Sequence, residues 1–432
     1  MKKKRNILVF PGGTELGLEI WRSLKYCKDF SLYSAEANVS SHAPFVFRND
    51  FIVPDVHEPN WVETLSSVVT EHNIDYIFPA HDDVVLALAQ KSSEIPAEII
   101  ASPLKTCSVC RSKSKTYEMF KDLLPVSTIF DTPSEVSKFP VFVKPDIGQG
   151  SQNASKVDNL DGLLAILKNN PNLVICEYLP GTEYTVDCFT DRRKGLLFCS
   201  GRERIRIKSG ISMSSKLANA RTQASFRKIA GTISKELEFT GAWFFQVKTS
   251  LTGTLKLLEI APRISGTTAL NRVLGVNLAL LSIYEKEGLD IEILPNLCDV
   301  QIDRALVNRY KHNLKFDKVY VDLDDTLIID DKVNSNLMQF LCQSLNKGCK
   351  ISLITKTARE ENIKDTLKKY KLDTFFDEVI SLSTNASKAD FINPKGSIFI
   401  DDSFNERKAV FERHKIPTFD CSMIELLIDE AV

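Results

Sequence analysis

The sequence predicts an α/β protein with more than one domain. Strand-like apolar runs alternate with helix-length segments from the start. Residues 7–10 precede a helix that begins near Leu16, and residues 75–78 precede a second helix over 84–89. This alternation is typical of parallel α/β architecture. At 432 residues the chain is also too long for a single hydrophobic core, so we expect at least two compact units.

The character of the sequence changes twice along the chain. Within residues 140–187, short β-rich segments are separated by Gly, Asn and Pro, which indicates an α+β region. A polar, basic stretch at 309–313 then precedes a new buried-strand signal at 319–321, and we place the main boundary between these two features. These changes indicate a first α/β domain, a second α+β domain and a last domain after the boundary.

Composition bears on the class of partner and on the compartment. The 55 basic residues nearly balance the 56 acidic ones, so nothing global indicates nucleic acid or an anionic membrane. No stretch approaches the roughly 18 apolar residues of a membrane span, and the apolar run after the basic residues 1–5 is too short for a signal peptide. Cys107 and Cys110 form the only close cysteine pair, and they lack zinc-site spacing and a βαβ context for redox chemistry. We therefore expect reduced thiols in a cytoplasmic protein.

Two strand-to-helix turns in the first domain are candidate ligand contacts. The turn at 11–17 is rich in glycine, either to present backbone N–H groups to an anion or because a tight turn needs glycine's backbone freedom. His81, Asp82 and Asp83 follow a strand and precede a helix, where open α/β sheets bind ligands. Helix capping by Asp82 or Asp83 explains the same pattern. We keep His81 and Asp82 as candidate substrate contacts.

The clearest chemical signal lies in the last domain. Asp322 and Asp324 follow an apolar strand, and alternate side chains project together if the chain stays extended. Farther along, one strand ends at Thr355, Lys388 lies where a loop meets a helix, and another strand ends at Asp401. Acids that hold a cation, together with a lysine and a hydroxyl, can neutralise a phosphoryl group beside a carboxylate nucleophile.

These pieces, in this order, resemble the motifs of the haloacid dehalogenase (HAD) superfamily of phosphohydrolases. The resemblance implies that Asp322 is the nucleophile and a Mg²⁺ ligand, and that Asp324 is the general acid and base and also lies at the metal. It further implies roles for the remaining pieces: Thr355 and Lys388 hold the phosphoryl group, and Asp401 completes the Mg²⁺ site with support from Asp402. The spacing leaves no room for a large cap domain, which in this superfamily implies an open site that admits a bulky phosphorylated substrate.

A second set of motifs occupies the first two domains. Lys144 lies on a strand that precedes a glycine-rich loop at 148–151, and a cation beside mobile backbone N–H groups suits a polyphosphate. Motif-like segments follow at 174–183, 244–248 and 257–266. Together these segments look like the ATP-grasp superfamily, close in pattern to carbamoyl-phosphate synthetase halves and amino-acid ligases. The two resemblances imply a pre-ATP-grasp α/β domain at 1–105, an α+β ATP-grasp domain at 106–312 and a Rossmann-like HAD domain at 316–432.

Carried over residue by residue, this resemblance implies an ATP site and a Mg²⁺ site. The ATP contacts are Lys115, Lys144, Gly148, Gly150 and Ser151 at the phosphates, Glu177, Tyr178 and Leu179 at the adenine, and Glu183 at the ribose. Gln246 and Glu259 would bind Mg²⁺, and Arg263 would stabilise the phosphate charge as it moves. One departure is Ala261, which stands where most members have a metal-binding asparagine, so one of two Mg²⁺ ions would be held less firmly.

Residues 202–210 alternate cations with apolar residues, as a strand does. This alternation would place Arg204, Arg206 and Lys208 on one face. We expect that face to bind the anionic acceptor or an acyl phosphate. An exposed strand with solvated charges is the alternative.

The resemblances together predict a bifunctional enzyme. An ATP- and Mg²⁺-dependent ligase would join a small-molecule carboxylate to an amine through an acyl phosphate and release ADP, and a Mg²⁺-dependent phosphatase would act on a related phosphorylated metabolite. One alternative is a kinase-like phosphoryl transferase in place of the ligase. Another is a non-catalytic ATP-binding regulatory module on an active phosphatase. Because relatives of the ATP-grasp region often dimerise, a homodimer is also an expectation.

Overall fold

The structure is a computed structural model that describes residues 4–37, 41–148, 150, 152–170, 172–296, 298–356 and 360–430. The chain divides into two compact units, residues 1–306 and 307–431. The first two predicted domains thus lie in a single unit, and the division falls a few residues before the predicted boundary. Among the described helices, none combines the length and apolar character needed to cross a membrane.

A five-stranded parallel sheet forms the beginning of the first unit, in the order β3-β2-β1-β4-β5. Its strands are β1 (Arg5–Phe10), β2 (Phe30–Glu36), β3 (Asp50–Ile52), β4 (Tyr76–Pro79) and β5 (Glu98–Ile99). The helices between them are α1 (Glu15–Leu24), α2 (Trp61–Glu71) and α3 (Asp82–Lys91). The predicted α/β class is confirmed in this region.

Strand β1 is covered on both faces. Ile7 and Val9 pack into a cluster that includes Trp21 of α1, whereas Leu8 packs on the other side with Leu65 of α2. Because neither face meets water, the strand reads as a continuous apolar run and not as an alternating one.

Three glycines in the turn between β1 and α1 donate their backbone N–H groups to acceptors within the protein. Gly12 donates to the carbonyl of Ala35 at 3.2 Å, Gly13 donates to the Glu36 carboxylate, and Gly17 donates to Thr14 Oγ1 at 3.0 Å. A Cβ at Gly17 would lie 2.3 Å from the Gly12 carbonyl oxygen, so the turn requires glycine there. These contacts favour the plain turn over the anion-binding interpretation.

We expect Glu36 to make the stability of the first unit depend on pH. Burial, and then the nearby Asp50, raise the pKa of Glu36 from 4.5 to about 7, although the Gly13 N–H opposes the shift. The folded state therefore keeps a proton that the unfolded chain loses near pH 4.5, and the free energy of unfolding falls as pH rises from about 4.5 to about 7.

Glu36→Gln should remove about 1–2 kcal/mol of that decline, a value reduced for partial solvent screening. Thermal unfolding at about pH 5 and about pH 8 measures the effect. Glu58→Gln, at an exposed position, should leave the decline unchanged. An equal pH dependence in the Glu36→Gln protein would contradict the assignment.

A four-stranded antiparallel sheet follows in the first unit, in the order β6-β9-β7-β8. Its elements, with the two helices that precede it, are α4 (Leu104–Arg111), α5 (Lys113–Phe120), β6 (Ile129–Phe130), β7 (Val141–Pro145), β8 (Ser155–Val157), α6 (Leu160–Asn169) and β9 (Leu173–Glu177). Leu163 of α6 packs against Val141 and Val143 of β7, so the helix covers one face of this small sheet.

A six-stranded antiparallel sheet completes the first unit, in the order β14-β13-β10-β11-β12-β15. Its elements are β10 (Glu183–Asp191), β11 (Gly195–Lys208), β12 (Ile211–Leu217), α7 (Ala220–Glu236), β13 (Gly241–Thr249), β14 (Leu255–Ala261), α8 (Ala269–Val273), α9 (Leu278–Lys286) and β15 (Gln301–Asp303). Phe245 and Val247 of β13 pack under Phe226 of α7. Because side chains alternate along a strand, Phe244 and Gln246 lie on the opposite face.

The second unit is built on a five-stranded parallel sheet in the order β20-β19-β16-β21-β22. Its elements are β16 (Lys318–Val321), β17 (Ile328–Ile329), β18 (Lys332–Val333), α10 (Ser335–Asn346), β19 (Lys350–Lys356), α11 (Glu360–Lys369), β20 (Glu378–Leu382), β21 (Ser397–Ile400), α12 (Phe404–His414) and β22 (Thr418–Phe419). A hairpin and α10 connect β16 to β19, and α11 and β20 follow β19, which agrees with the small connections predicted. The carboxyl ends of β16, β19 and β21 meet at one edge of the sheet.

Candidate active sites

A continuous cleft in the first unit is lined by the four-stranded and six-stranded sheets. Its hinge lobe includes the end of β9 and the residues after it, 176–179. Its loop lobe includes residues 14–16 after β1 and residues 80–82 after β4. The two lobes share seven lining residues: Lys113, Gly148, Gly150, Arg204, Gly210, Gln246 and Glu259.

Three lysines line the hinge lobe, and two of them, Lys113 and Lys144, lie near the glycine-rich loop. Lys144 Nζ on β7 is buried and donates to Tyr117 Oη at 2.6 Å. Burial alone would lower the pKa of Lys144, but Tyr117, Cys176 and Glu259 leave it raised. Lys113, in the first turn of α5, donates to the Gly148 carbonyl at 3.1 Å, and burial lowers its pKa. The lysines place two cations beside the glycine-rich loop.

The hinge lobe also carries two acids that are already engaged by protein groups. Glu177 accepts a hydrogen bond from the Thr128 N–H at 2.8 Å and pairs with Lys256. Glu183, at the start of β10, pairs through one oxygen with Arg204, and its other oxygen lies 3.4 Å from Lys248 Nζ. The remaining hinge residues, Tyr178 and Leu179, line the lobe beside them.

Gln246 and Glu259 are paired across β13 and β14. Gln246 Oε1 accepts a hydrogen bond from Arg204 at 3.1 Å. Across the described residues, no hydrogen bond or ion pair to the Glu259 carboxylate is found, although its charge raises the pKa of the nearby Lys144. An oxygen-only pair of ligands suits Mg²⁺. Ala261, two residues farther along β14, adds no side-chain ligand.

Ion pairs form part of the wall of the loop lobe. Arg263 Nε and Nη2 donate to the two oxygens of Asp82 at 2.7 and 2.6 Å, which is the strong bidentate geometry. Burial would raise the pKa of Asp82, but Arg263 and Arg111 bring it below its usual value. Arg111 Nε also donates to Asp83 at 3.0 Å. His81 caps α3, since its Nδ1 accepts from the Asp83 N–H at 3.4 Å.

A separate acidic site lies at the strand-end edge of the second unit. Lys388 Nζ is buried and donates to Asp322 Oδ1 at 2.6 Å and to Asp401 Oδ2 at 2.7 Å. Burial raises the pKa of Asp322 to about 7, with Lys388 lowering it and Asp401 raising it further. Burial also raises the pKa of Asp401. Lys388 therefore pairs with two neighbouring carboxylates, and ionising both of them at once costs free energy.

A group of three acids could hold a divalent cation in the second unit. Asp322, Asp401 and Asp402 each offer an oxygen, and these atoms lie within 4.8 Å of one another. Three carboxylates are a donor set that Mg²⁺ accepts. Thr355 is buried at the end of β19, next to β16.

The chain is similar to one protein-family model and to several solved structures. The family model described as "ATP-grasp in the biosynthetic pathway with Ter operon" matches residues 169–302. The biotin carboxylase domain of Hydrogenobacter thermophilus 2-oxoglutarate carboxylase, in complex with MgADP, ADP and bicarbonate, is 13% identical with a TM-score of 0.56, covering 67% of this chain and 71% of that one. Residues 169–302 thus match an ATP-grasp family model, and the likeness of fold extends over about two thirds of the chain.

Two further solved structures are similar in fold to about two thirds of the chain. The L-amino acid ligase of Bacillus licheniformis is 16% identical with a TM-score of 0.53, and the match covers 68% of this chain and 78% of that one. The N5-carboxyaminoimidazole synthetase of Staphylococcus aureus is 14% identical with a TM-score of 0.54, over 68% and 79% of the two chains. A comparison with curated protein sequences finds no match.

Two predictions for the first unit need correction, one about an ATP contact and one about a helix cap. Lys115 is exposed on α5 and does not line the cleft, whereas Lys113 lines both lobes. Asp82 and Asp83 do not cap α3, because His81 does and both acids are paired with arginines. Ser151 lies outside the described residues.

The predicted cationic face on β11 is also incorrect. The pairing of β11 with β12 shifts register between Arg204 and Arg206, and again between Arg206 and Ile207. A bulge breaks the alternation of side chains. Arg204 lines the cleft, whereas Arg206 is exposed and pairs with Asp303 at 2.7 Å, and Lys208 is exposed.

In the second unit, Asp324 does not join the acidic group. Its side chain is exposed, and Asp402 completes the group of three. The chain leaves β16 after Val321 and turns at Leu323, whose carbonyl accepts from the Leu327 and Ile328 N–H groups. The extended course that was the condition of the prediction therefore ends before Asp324. Asp324 therefore stays a candidate for proton transfer only.

The CxxC pair forms part of the loop-lobe wall. Cys107 and Cys110 are buried free thiols in α4. Burial raises the pKa of Cys107 to about 12 and that of Cys110 well above its usual value. Protonated thiols are poor nucleophiles and metal ligands, so the pair acts as apolar surface.

A buried polar network lies behind the cleft and was not predicted from the sequence. Arg202 pairs with Asp187 and donates to Thr267 Oγ1 at 2.6 Å, and Asn271 donates to Asp187 at 2.6 Å. The network ties β10 and β11 to the segment after Arg263. The only sequence signal was an arginine amid strand residues, which does not reveal burial.

Proposed function

We propose that the first unit is an ATP- and Mg²⁺-dependent carboxylate–amine ligase that acts through an acyl phosphate and releases ADP. The observation that carries this proposal is the continuous cleft, in which a lobe suited to a nucleotide opens through shared cations into a second lobe. A phosphoryl donor and a separate acceptor need such an arrangement, because positioning provides much of the acceleration in phosphoryl transfer.

ATP would bind in the hinge lobe. Protein groups already hold the Glu177 carboxylate. The adenine edge would therefore form its hydrogen bonds with the backbone of Glu177, Tyr178 and Leu179. Glu183 takes the ribose hydroxyls. Lys113 and Lys144, with the backbone at Gly148 and Gly150, neutralise and orient the phosphates.

The carboxylate acceptor would bind in the loop lobe. Mg²⁺ held by Gln246 and Glu259 would neutralise phosphate oxygens. Arg263, fixed by Asp82, stabilises the charge that gathers on the transferred group. The acceptor carboxylate oxygen attacks the γ-phosphorus, the bond to the ADP oxygen breaks, and the amine then displaces phosphate from the acyl carbon. Buried Cys107 and Cys110 give this lobe an apolar side that keeps water from the acyl phosphate.

The named relatives support this class of reaction. One is an amino acid ligase, one is a synthetase, and one is a biotin carboxylase domain dimer bound to MgADP and bicarbonate. By analogy we also propose that the chain forms a homodimer and acts on small molecules.

The ligase proposal is tested by ADP release from the full chain with Mg²⁺, ATP and a panel of carboxylates, each with and without amines. The Asp322→Asn variant is used so that phosphate-ester hydrolysis does not interfere. We expect ADP formation that needs both a carboxylate and an amine, with the amide seen by mass spectrometry. ADP with an acceptor alone and a stable phosphorylated product would instead indicate the kinase. ATP binding without turnover on any pair would favour the regulatory module.

We further propose that the second unit is a Mg²⁺-dependent HAD-type phosphohydrolase that acts on a related phosphorylated metabolite. Support comes from the buried Asp322–Lys388–Asp401 cluster at the edge where β16 and β21 end. Lys388 and Thr355 hold the phosphoryl oxygens while Asp322 attacks phosphorus and the ester bond breaks. Asp324, exposed beside this site, protonates the leaving oxygen and then takes a proton from the water that cleaves the aspartyl phosphate. Mg²⁺ held by Asp322, Asp401 and Asp402 would supply charge neutralisation.

A further inference from the structure

Arg204 lies where the two lobes of the cleft meet. It lines both lobes, and the register shift that follows it leaves Arg206 and Lys208 outside the cleft. Its side chain is only 7% exposed. A buried cation at this junction can act on a ligand in either lobe.

The guanidinium of Arg204 uses three of its five N–H donors on other described residues, and the Nε–H and one Nη2–H are left over. Nη1 donates to Glu183 and, at 3.1 Å, to Gln246, and Nη2 donates to the Gly210 carbonyl at 2.5 Å. Within the described part of the chain, the buried Nε–H has no hydrogen-bond partner. A buried donor without a partner costs free energy, and an oxyanion that came within hydrogen-bond distance of it would remove that cost.

Glu183 connects this donor to the nucleotide. One Glu183 oxygen pairs with Arg204, and the other faces Lys248. Ribose hydroxyls that donate hydrogen bonds to Glu183 would interact with the same negative charge that neutralises Arg204 in the absence of nucleotide. Its guanidinium would then attract an oxyanion more strongly.

We infer that Arg204 couples the two lobes: its Nε–H binds an oxygen of the transferred phosphoryl group, and ribose bound at Glu183 strengthens that contact. This inference rests on the proposed nucleotide site. It predicts that a nucleoside diphosphate and a tetrahedral oxyanion bind cooperatively. Reciprocal coupling means that either ligand reports the effect.

The test is the affinity of the full chain for MgADP, measured by calorimetry with and without saturating inorganic phosphate. The affinity for ADP is the measured quantity, because phosphate that binds to the second unit does not directly change ADP binding in the first unit. Phosphate should tighten MgADP binding by about fivefold or more, and the gain with Mg-2′,3′-dideoxy-ADP should be under about twofold. The second arm uses the unaltered protein, so it does not depend on the folding of any variant.

Arg204→Lys keeps the charge but removes the Nε–H and the planar fork that contacts Glu183, Gln246 and Gly210. It should abolish the gain from phosphate, measured against the affinity of the same variant for MgADP alone. Arg206→Lys, the same change on the same strand outside the cleft, should keep the gain. An equal gain in Arg204→Lys, or with the dideoxy nucleotide, would overturn the inference and leave the nucleotide site standing. Failure of MgADP to bind at all would refute the proposed nucleotide site and the inference with it.

Discussion

Asp322→Asn should lower phosphate-ester hydrolysis on the order of 1,000-fold or more, because an amide cannot attack phosphorus as a carboxylate does. Asp322 is the buried acid that shares Lys388 with Asp401. Asparagine keeps the shape, and burial already disfavours the Asp322 charge. The change should therefore leave thermal stability nearly unaltered.

The measurement is Mg²⁺-dependent release of p-nitrophenol from p-nitrophenyl phosphate by the full chain. Asp325→Asn is the matched control, because Asp325 is an exposed acid in the same loop with a left-handed φ of 56° that asparagine also adopts. It should retain most of the rate. If Asp322→Asn keeps more than about a tenth of the activity while Asp325→Asn loses it, the nucleophile is wrongly assigned.

Where strands end could be predicted from the sequence. Apolar runs ended in Asp322, Thr355 and Asp401, and the carboxyl ends of parallel strands meet at one edge. The structure brings Asp322 and Asp401 together on Lys388 as this rule requires. The five-stranded parallel sheet of the first unit followed from the same alternation of strands and helices.

Which side of a helix faces the cleft could not be predicted with the same accuracy. Lys113 and Lys115 lie two residues apart on α5, which is roughly 200° around the helix axis, so only one can face the cleft. Ser112 caps the helix through the Lys115 N–H, and this start fixes Lys113 toward the cleft. Position in sequence does not distinguish the two lysines.

Local departures from extended structure caused the other errors. The prediction for Arg206 and for Asp324 assumed strict alternation of side chains along an extended chain. A register shift after Arg204 and a turn that begins at Leu323 break that alternation. Neither position carries a glycine or proline that would have signalled the break.

Glu259→Gln should reduce ATP-dependent turnover by the ligase on the order of 100-fold or more, because the predicted metal site loses its only carboxylate. Glu259 is paired with Gln246 across β13 and β14, and its charge acts on Lys113, Lys144 and Arg263. Glutamine leaves two neutral amides where a cation must bind. The three nearby basic side chains also lose the carboxylate that balances them.

Metal dependence of nucleotide binding separates this role from a purely structural one. In the parent protein, Mg²⁺ should tighten ADP binding, and in Glu259→Gln that gain should fall at least about tenfold. Without Mg²⁺, the variant should bind ADP as tightly as the parent or more tightly, because the same cations then face the phosphates without a competing carboxylate. Glu203→Gln, on β11 beside Lys216 and outside the cleft lining, should behave as the parent. An unchanged Mg²⁺ gain in Glu259→Gln would show that the metal is held elsewhere, and a loss of ADP binding both with and without Mg²⁺ would point to structural damage.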